Sequence, residues 1–454
     1  MYKKIIDKLK DKKIAILGFG KEGKSTYSFI RKYLPEKLLT VLDLNDVSNN
    51  ELFSGDNNVE IICGDKYLDN LDKYDCIIKA PGISLKDLTD EKIRSSITSQ
   101  LELLLEVNSK NIIGITGTKG KSTTSSMIYE VFKEQGKDVY LLGNIGVPVL
   151  DNIENYTDDT KLVIEMSSHQ LEFVRVSPHI GIVLNLFQDH LDHDGDLERY
   201  HNNKMNMFNH QGEDDIAIYG DDNKYLHDRV VNSNFKGTFY DVRFDDSIGS
   251  EHSIRIKDNK IYMNGEILYT DGERCLLGDH NLNNIMFVVT VCKLNGLDLD
   301  KASKTIKKFK GLKYRMECIG TYNDITYYND TIATIPEATI SAIKALKKVD
   351  TLIFGGMDRH IDYSSLIDFL TNSDIKNLVC MPTTGFTIGN ILKESCDKNI
   401  FFVNTLEEAY SVSKEYTEPG KICLLSPAAA SYEFFKNFEE KGQKFAKIVM
   451  NDGE

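Results

Sequence analysis

Residues 114–124 read GITGTKGKSTT. The apolar run NIIGIT (111–116) leads into them, and STTSSMIYEVFKEQG follows with helical spacing and Gly136 as a C-cap. The stretch therefore predicts strand, glycine turn and helix, the arrangement in which backbone amides and a helix N-terminus cradle phosphate. The common loop of this kind is G-x-x-x-x-G-K-[ST]. Gly120, Lys121 and Ser122 supply its end, but Ile115 stands where its first glycine belongs, and glycines fall at 114 and 117 instead. Lys121 is expected to reach the β and γ phosphates and Ser122 to ligand Mg²⁺. A chance glycine turn is the weaker reading, because G-K-S-T at a strand-to-helix junction is a rare coincidence.

Downstream, Glu165 closes the apolar strand LVIEM, where an acid often holds the metal; an ordinary strand-end carboxylate is the alternative. His190 lies in NLFQDHLDHDG, a segment that suits either a metal or a solvated loop, with His193 the weaker ligand. Lys204, in YHNNKMNMF, falls on the same helical face as Tyr200. By itself it reads as a surface lysine. Residues 232–275 are short polar or alternating strands with turn signals, a small β excursion, and HNLNNIMFVVTVCKLNGL (280–297) is a helix.

Upstream, the strand KKIAIL (12–17) enters GFGKEG (18–23), a G-x-G-x-x-G match. Gly18 permits the tight turn, Gly20 close approach to a diphosphate and Gly23 close packing. Asp43 ends the second strand, TVLDLND, about 20 residues on, as the fingerprint asks. The third strand, YDCIIKAPGI, is ended by Pro81-Gly82. This unit suits NAD or a UDP-sugar equally. Past Gly311, TYYND, TLIFGG, NLVCM and KICLLSP are strands spaced by helices. The expected fold class is α/β in three domains: a Rossmann-like domain at 1–94, a central P-loop ATPase-type domain at 95–310, and a C-terminal Rossmann-like α/β domain at 311–454.

The formal net charge of -14 argues against nucleic acid or an anionic membrane as partner. Eight scattered cysteines without a CxxC pair fit a reducing compartment. No apolar signal core or spanning run is seen. A cytoplasmic location is expected.

The motifs together resemble the Mur ligases, ATP-dependent amino-acid-adding enzymes of peptidoglycan synthesis, and within them the glutamate-adding branch. Their modified P-loop, G-T-x-G-K-[ST]-[ST], is similar to Gly117–Thr123 and accounts for the shifted glycines. GNIGVPVL (143–150), EMSSHQLE (165–172), the Asp-His pair at 189–190, GDHNLNN (278–284) and LLSPAAASYEFFKNFEEKGQKF (424–445) resemble further blocks. The resemblance implies ATP contacts at Gly117, Thr118, Lys119, Gly120, Lys121, Ser122, Thr123, Asn284, Arg315 and Asp330. It implies two Mg²⁺ ions on Ser122, Glu165, His190 and Lys204, the lysine being a CO₂-derived carbamate. Gly18, Phe19, Gly20, Lys21, Asp43, Pro81, Gly82 and Asn144 would hold the UDP substrate. Thr334, Arg359, Ser431 and Phe438 would hold glutamate. Lys121, Glu165, His190 and Lys204 would serve the chemistry. ATP would phosphorylate the carboxylate of UDP-MurNAc-L-Ala, and the glutamate amine would displace phosphate from the acyl phosphate. A monomer acting on these small molecules is expected, with D-glutamate as the amino acid.

Three departures stand out. His169 replaces a usual phenylalanine, and Tyr314 a usual histidine. NDTIATIP (329–336) stands where N-D-S-K-A-T-N is common, with Ile332 in place of the lysine. Such a loop resembles a branch that adds L-glutamate, which is kept as the alternative. A folylpolyglutamate synthase would lack residues 1–95, an NAD-dependent oxidoreductase would not need Lys121 with Glu165, and a P-loop regulatory or motor ATPase would need no muramoyl substrate.

Overall fold

The computed structural model describes residues 1–187, 196–233, 235–247, 249–276, 278–359, 361–432 and 434–452. Short, wholly apolar runs become parallel strands buried on both faces, as helices packed above and below a sheet demand. β1 (Ile14–Leu17), β2 (Leu39–Asp43), β3 (Val59–Cys63), β4 (Cys76–Lys79) and β5 (Ile97–Thr98) form the first sheet, ordered β3-β2-β1-β4-β5 and parallel throughout. Ile14 is paired with Leu39 on one side and with Cys76 on the other. The strand order reverses at β1, and a crevice opens at the carboxyl ends of strands at such a point.

The second sheet contains β6 (Ile112–Thr116), β7 (Val139–Gly143), β8 (Lys161–Glu165), β9 (Ile180–Val183), β10 (Ile216–Gly220), β11 (Thr238–Val242), β12 (Ser253–Lys257), β13 (Lys260–Met263) and β14 (Glu266–Thr270). Its order is β14-β13-β12-β11-β10-β9-β6-β8-β7. The expected β excursion is not separate. β11 and β12 continue the parallel ladder, and β13 and β14 turn back antiparallel at its edge. Two-residue turns make both reversals, with positive φ at Asp258–Asn259 and at Asn264–Gly265, the pairing that matches strand twist.

The third sheet, ordered β15-β16-β20-β17-β18-β19, comprises β15 (Glu317–Tyr322), β16 (Ile325–Asn329), β17 (Val349–Phe354), β18 (Asn377–Cys380), β19 (Asn399–Phe402) and β20 (Ile422–Leu425). A hairpin turned at Asn323–Asp324 joins β15 to β16; the other pairings are parallel.

The chain divides into two compact units, Met1–Lys308 and Phe309–Glu454. Within the first, one apolar core takes in Ile16 and Val41 of the first sheet and Leu142 and Ile164 of the second. Buried charge ties β4 of the first sheet to helical segments that follow strands of the second. Lys79 lies 3.3 Å from Glu172, with both side chains almost wholly enclosed, and Arg199 reaches the other oxygen of Glu172 at 2.6 Å. The carboxylate is thus charge-compensated by two cations, and removal of either would leave a buried charge poorly paired. Among the described residues no helix is long and apolar enough to cross a membrane.

Two glycines of the first turn differ in what they permit. A Cβ on Gly23 would lie 2.0 Å from the Gly18 carbonyl oxygen, whereas a Cβ on Gly20 would meet nothing within 4 Å. Gly23→Ala is therefore expected to lower the stability of this unit by about 1–3 kcal/mol, as overpacking does. Gly20→Ala should leave it unchanged within about 0.5 kcal/mol. Denaturant unfolding of the two variants beside the parent checks the contrast.

Candidate active site

The loop after β6 is shaped by two glycines and by residues far away in sequence. Gly120 caps the helix Lys121–Glu134 with φ +87, and Gly117 has φ +148. A Cβ on Gly117 would come within 3.0 Å of Leu184. Lys121 curls back over the turn, its ammonium donating to the carbonyls of Gly117 (2.9 Å) and Thr118 (3.1 Å). Asn185 pins the outer side: its Oδ1 accepts from the amides of Thr118 (3.1 Å) and Lys119 (2.9 Å), and its Nδ2 donates to the Lys119 carbonyl (3.1 Å). The Thr118 hydroxyl accepts from the Phe187 amide (2.9 Å) and the Tyr200 hydroxyl (3.2 Å). The first-turn amides of a helix need acceptors beyond it, and Lys121–Thr123 begin this one, with Ser122 buried. The arrangement suits a phosphate, and Asn185 is a part of it that the sequence reading missed.

Beside this loop, Glu165 ends β8, paired with Ile115 of β6 and only 1% exposed. Its Oε1 accepts from Asn144 Nδ2 at 2.7 Å, and its carbonyl accepts from the Asn144 amide at 3.0 Å. The backbone comes so close that a Cβ on Gly143 would lie 2.3 Å from the Glu165 carbonyl oxygen. Glu165 Oε2 is buried with no hydrogen-bond partner among the described residues. A dry carboxylate oxygen of this kind is unfavourable on its own and suits a hard cation.

Lys204, on the helix Leu197–Met205, is 1% exposed, and its Nζ lies 4.6 Å from the centre of the Tyr200 ring. The surface-lysine reading of this position is thus corrected: tertiary packing covers the face that the helix spacing alone leaves open. His201 beside it is buried, and burial lowers its pKa. His190 and His193 lie outside the described residues. Among those described, no three His, Cys, Asp or Glu side chains gather into a metal cluster.

A crevice of about 530 Å³ opens in the same unit, at the reversal point of the first sheet. Gly18, Gly20, Lys21, Asp43, Pro81, Gly82 and Asn144 all line it. Phe19 does not: its ring packs on Phe53 at 4.6 Å in the core, and its amide donates to Asp43 Oδ2 at 2.6 Å. The other oxygen of Asp43 accepts from the Asn45 amide at 2.8 Å. Lys21 donates to the Gly146 carbonyl at 3.0 Å, bridging to the GNIGVPVL segment. Glu22 and Gln170 also face the crevice and were not singled out from sequence. Gln170 Nε2 donates to Glu22 at 2.7 Å. Burial raises the Glu22 pKa, opposed by that hydrogen bond and by Lys79 and Lys21.

A second cleft, of about 300 Å³, lies against the phosphate loop, with Lys119, Gly120, Asn185, Asn223, His280 and Asn284 among its walls. Asn284 sits so near the loop that a Cβ on Gly120 would be 2.5 Å from its Oδ1. Only Asn284 of the distal wall was anticipated; nothing in the spacing of Asn223 or His280 marks them.

In the second unit the expected residues collect beyond the carboxyl ends of the neighbouring strands β16, β20 and β17. Asp330 follows β16 and is 4% exposed; it accepts from the Met316 amide (3.0 Å) and the Ser426 hydroxyl (2.9 Å). Burial pushes its carboxyl up to about 6, against the pull of those two bonds and of Arg315. Arg359, beyond β17, is exposed, and Thr334 is half-buried. Ser431, beyond β20, is buried, and its hydroxyl has no partner among the described residues. The Phe438 ring meets Tyr314 edge-on at 6.0 Å, and Gln443 donates to the Tyr314 hydroxyl at 3.1 Å. Ile332 is half-buried, with its amide on the Tyr314 carbonyl at 3.1 Å.

Comparison with known proteins adds to this geometry. The profile of the Mur ligase middle domain matches residues 115–292. The UDP-N-acetylmuramoylalanine–D-glutamate ligase of Acetivibrio thermocellus is 32% identical over 460 residues, covering 97% of this chain and 97% of that protein. The protein of the same name from Clostridioides difficile is 31% identical over 459 residues, covering 98% and 99%. A MurF ligase from Thermotoga maritima, solved in complex with ADP, shares the fold with a TM-score of 0.54 at 16% identity, over 97% of this chain and 95% of that one. The chain belongs to the Mur ligase family and is an ATP-dependent amino-acid ligase of peptidoglycan precursor synthesis.

Proposed function

We propose that this enzyme joins D-glutamate to UDP-N-acetylmuramoyl-L-alanine in the cytoplasm, through an acyl phosphate. The observation that carries the reading is Asn144, which lines the crevice of the first sheet and also bonds to Glu165 beside the phosphate loop. A UDP-sugar seated in the crevice thereby extends toward the phosphate site. The names of relatives about one-third identical over nearly the whole chain support the substrates.

In this reading domains at 1–94, 95–310 and 311–454 handle UDP, ATP and glutamate; β5 (Ile97–Thr98) of the first sheet falls just beyond the first of those boundaries. Gly117–Thr123 bind the ATP phosphates, Lys121 neutralising charge on the group transferred, and Asn284, Arg315 and Asp330 contact the nucleotide. Ser122, Glu165, His190 and Lys204 as its carbamate would hold Mg²⁺; the buried, unpartnered oxygen of Glu165 fits that role. Bound Mg²⁺ supplies electrostatic stabilisation of the charge that gathers on the phosphates. The L-alanyl carboxylate attacks the γ-phosphorus of ATP and ADP leaves. The amine of glutamate then attacks the acyl carbon, a proton is lost from nitrogen, and inorganic phosphate departs. Thr334, Arg359, Ser431 and Phe438 hold glutamate, the charge of Arg359 and the unpartnered hydroxyl of Ser431 being suited to carboxylates. The Lys204 carbamate would convert a buried cation into an oxygen ligand.

One observation favours a second reading. Ile332 supplies no charge where a lysine is common in the family, so the amino acid site has a different cation arrangement, and L-glutamate is the alternative. The relatives' names favour D-glutamate. On UDP-MurNAc-L-Ala, kcat/KM for D-glutamate is expected to exceed that for L-glutamate by about tenfold or more, the worth of one misplaced charge-assisted hydrogen bond; the opposite order would establish the second reading.

Lys121→Ala should reduce both ADP release and amide formation by on the order of a thousandfold, measured with all three substrates saturating. Ligation near the parent rate would remove the loop from the chemistry. Lys204→Ala should be nearly inactive and partly restored by a short carboxylic acid. Native mass measurement of active parent enzyme should show the added CO₂, and a free amine in fully active protein would reject the carbamate.

A further inference from the structure

Lys441 lies in the first turn of the helix Phe438–Asn451 and is only 2% exposed. The placement is unfavourable in three ways. An ammonium so deeply buried has lost its hydration. A cation near a helix N-terminus opposes the helix dipole. Among the described residues its three protons find one hydrogen-bond acceptor, the Gly355 carbonyl at 2.9 Å, with the Phe435 ring 5.8 Å away. Burial accordingly pulls its pKa down to about 7. An apolar side chain of similar length would pack there without these penalties, so what the amine holds is the point of interest.

Gly355 opens the segment after β17 that carries Arg359. Its φ is +118, and a Cβ would lie 2.2 Å from the Met381 carbonyl oxygen. Its amide donates to the Pro427 carbonyl at 2.9 Å, and two residues on the Met357 amide donates to Ala430 at 2.8 Å. The loop is thus laid along Pro427–Ala430, which leads directly into Ser431. The Lys441 bond closes the triangle by tying this pair of segments to the helix that begins at Phe438. Each corner carries one residue of the proposed glutamate site. We propose that Lys441 is a positioning residue for that site: by fixing the Gly355 carbonyl it sets Arg359 and Ser431 relative to Phe438. The proposal rests on the glutamate assignment made above.

The test separates binding of one substrate from general damage. Lys441→Met keeps length and burial but removes the donor. In the full-length enzyme it should raise KM for glutamate about tenfold, as expected for loss of one charge-assisted hydrogen bond. Thermal melting should show a folded protein, with kcat and KM for ATP and UDP-MurNAc-L-Ala within about twofold of the parent. Lys441→Arg, which restores a charged donor, should recover part of the loss. If Lys441→Met does not fold, Lys441→Gln, which keeps one N–H donor, carries the measurement and should show an intermediate rise. An unchanged glutamate KM overturns the proposal, and so does a parallel rise in all three constants, which would mark a purely structural role. Arg359→Ala is the control for the assignment beneath it. If that variant also leaves the glutamate KM unmoved, the loop does not bind glutamate, and it is the assignment that has failed.

Discussion

Much of the first unit is organised by one requirement: a carboxylate has to be kept dry, close to a phosphate loop and only half satisfied. Glu165 meets it because β8 pairs directly with β6, so the strand that ends in the acid and the strand that ends in the loop stop at the same level. The surroundings follow from keeping it there. Gly143 is glycine because the Glu165 carbonyl leaves no room for a Cβ. Asn144 is held by both the backbone and the side chain of Glu165. Just beyond, Ser167 and Gln170 form a capping box that fixes the start of a short helix. Gln170 in turn reaches the floor of the crevice through Glu22. Crevice, acid and loop are therefore parts of one hydrogen-bonded assembly.

The sequence made some of this legible and hid the rest, for reasons that can be located. Strand–turn–helix at 111–134 and at 12–33 is local: the glycines, the lysine and the apolar runs that define it are contiguous. The same holds for Asp43 and Pro81-Gly82, which fall at strand ends and so at the mouth of the crevice. Asn185 was invisible because its role depends on a contact with residues 66 and 67 positions earlier in the chain. Spacing alone left Lys204 on an open face, because helical spacing says which residues share a face, and not what covers it; the family resemblance pointed the other way. Phe19 misled in the opposite sense, since a residue inside a binding motif gives its side chain to the core and only its amide to the turn.

The second unit shows how a backbone arrangement can accommodate an apolar side chain beside buried charge. Asp330 is buried, doubly hydrogen-bonded and close to Arg315. Two residues on, Ile332 brings apolar surface to a position where a cation is common in the family. The backbone survives the change because the Ile332 amide, not its side chain, makes the contact with Tyr314. Two cations beyond the ends of β17 and β20 differ in kind: Arg359 is exposed, and Lys441 is enclosed against the Gly355 carbonyl.

The turn-back at the edge of the second sheet bears on how the protein avoids its own copies. A parallel sheet of this length must end somewhere, and a bare edge strand is a template on which another chain can pair. Here the last two strands reverse through turns of two residues, and β14 packs against the helices Asp279–Leu294 and Leu299–Lys308. Lys293 on the first of these helices grips Glu266 at the start of β14 at 2.7 Å. A charge sits at the beginning of the outermost strand, and its side chain is strapped to the body of the unit. Removing either member of that pair would loosen the cover over this edge without touching the loop after β6.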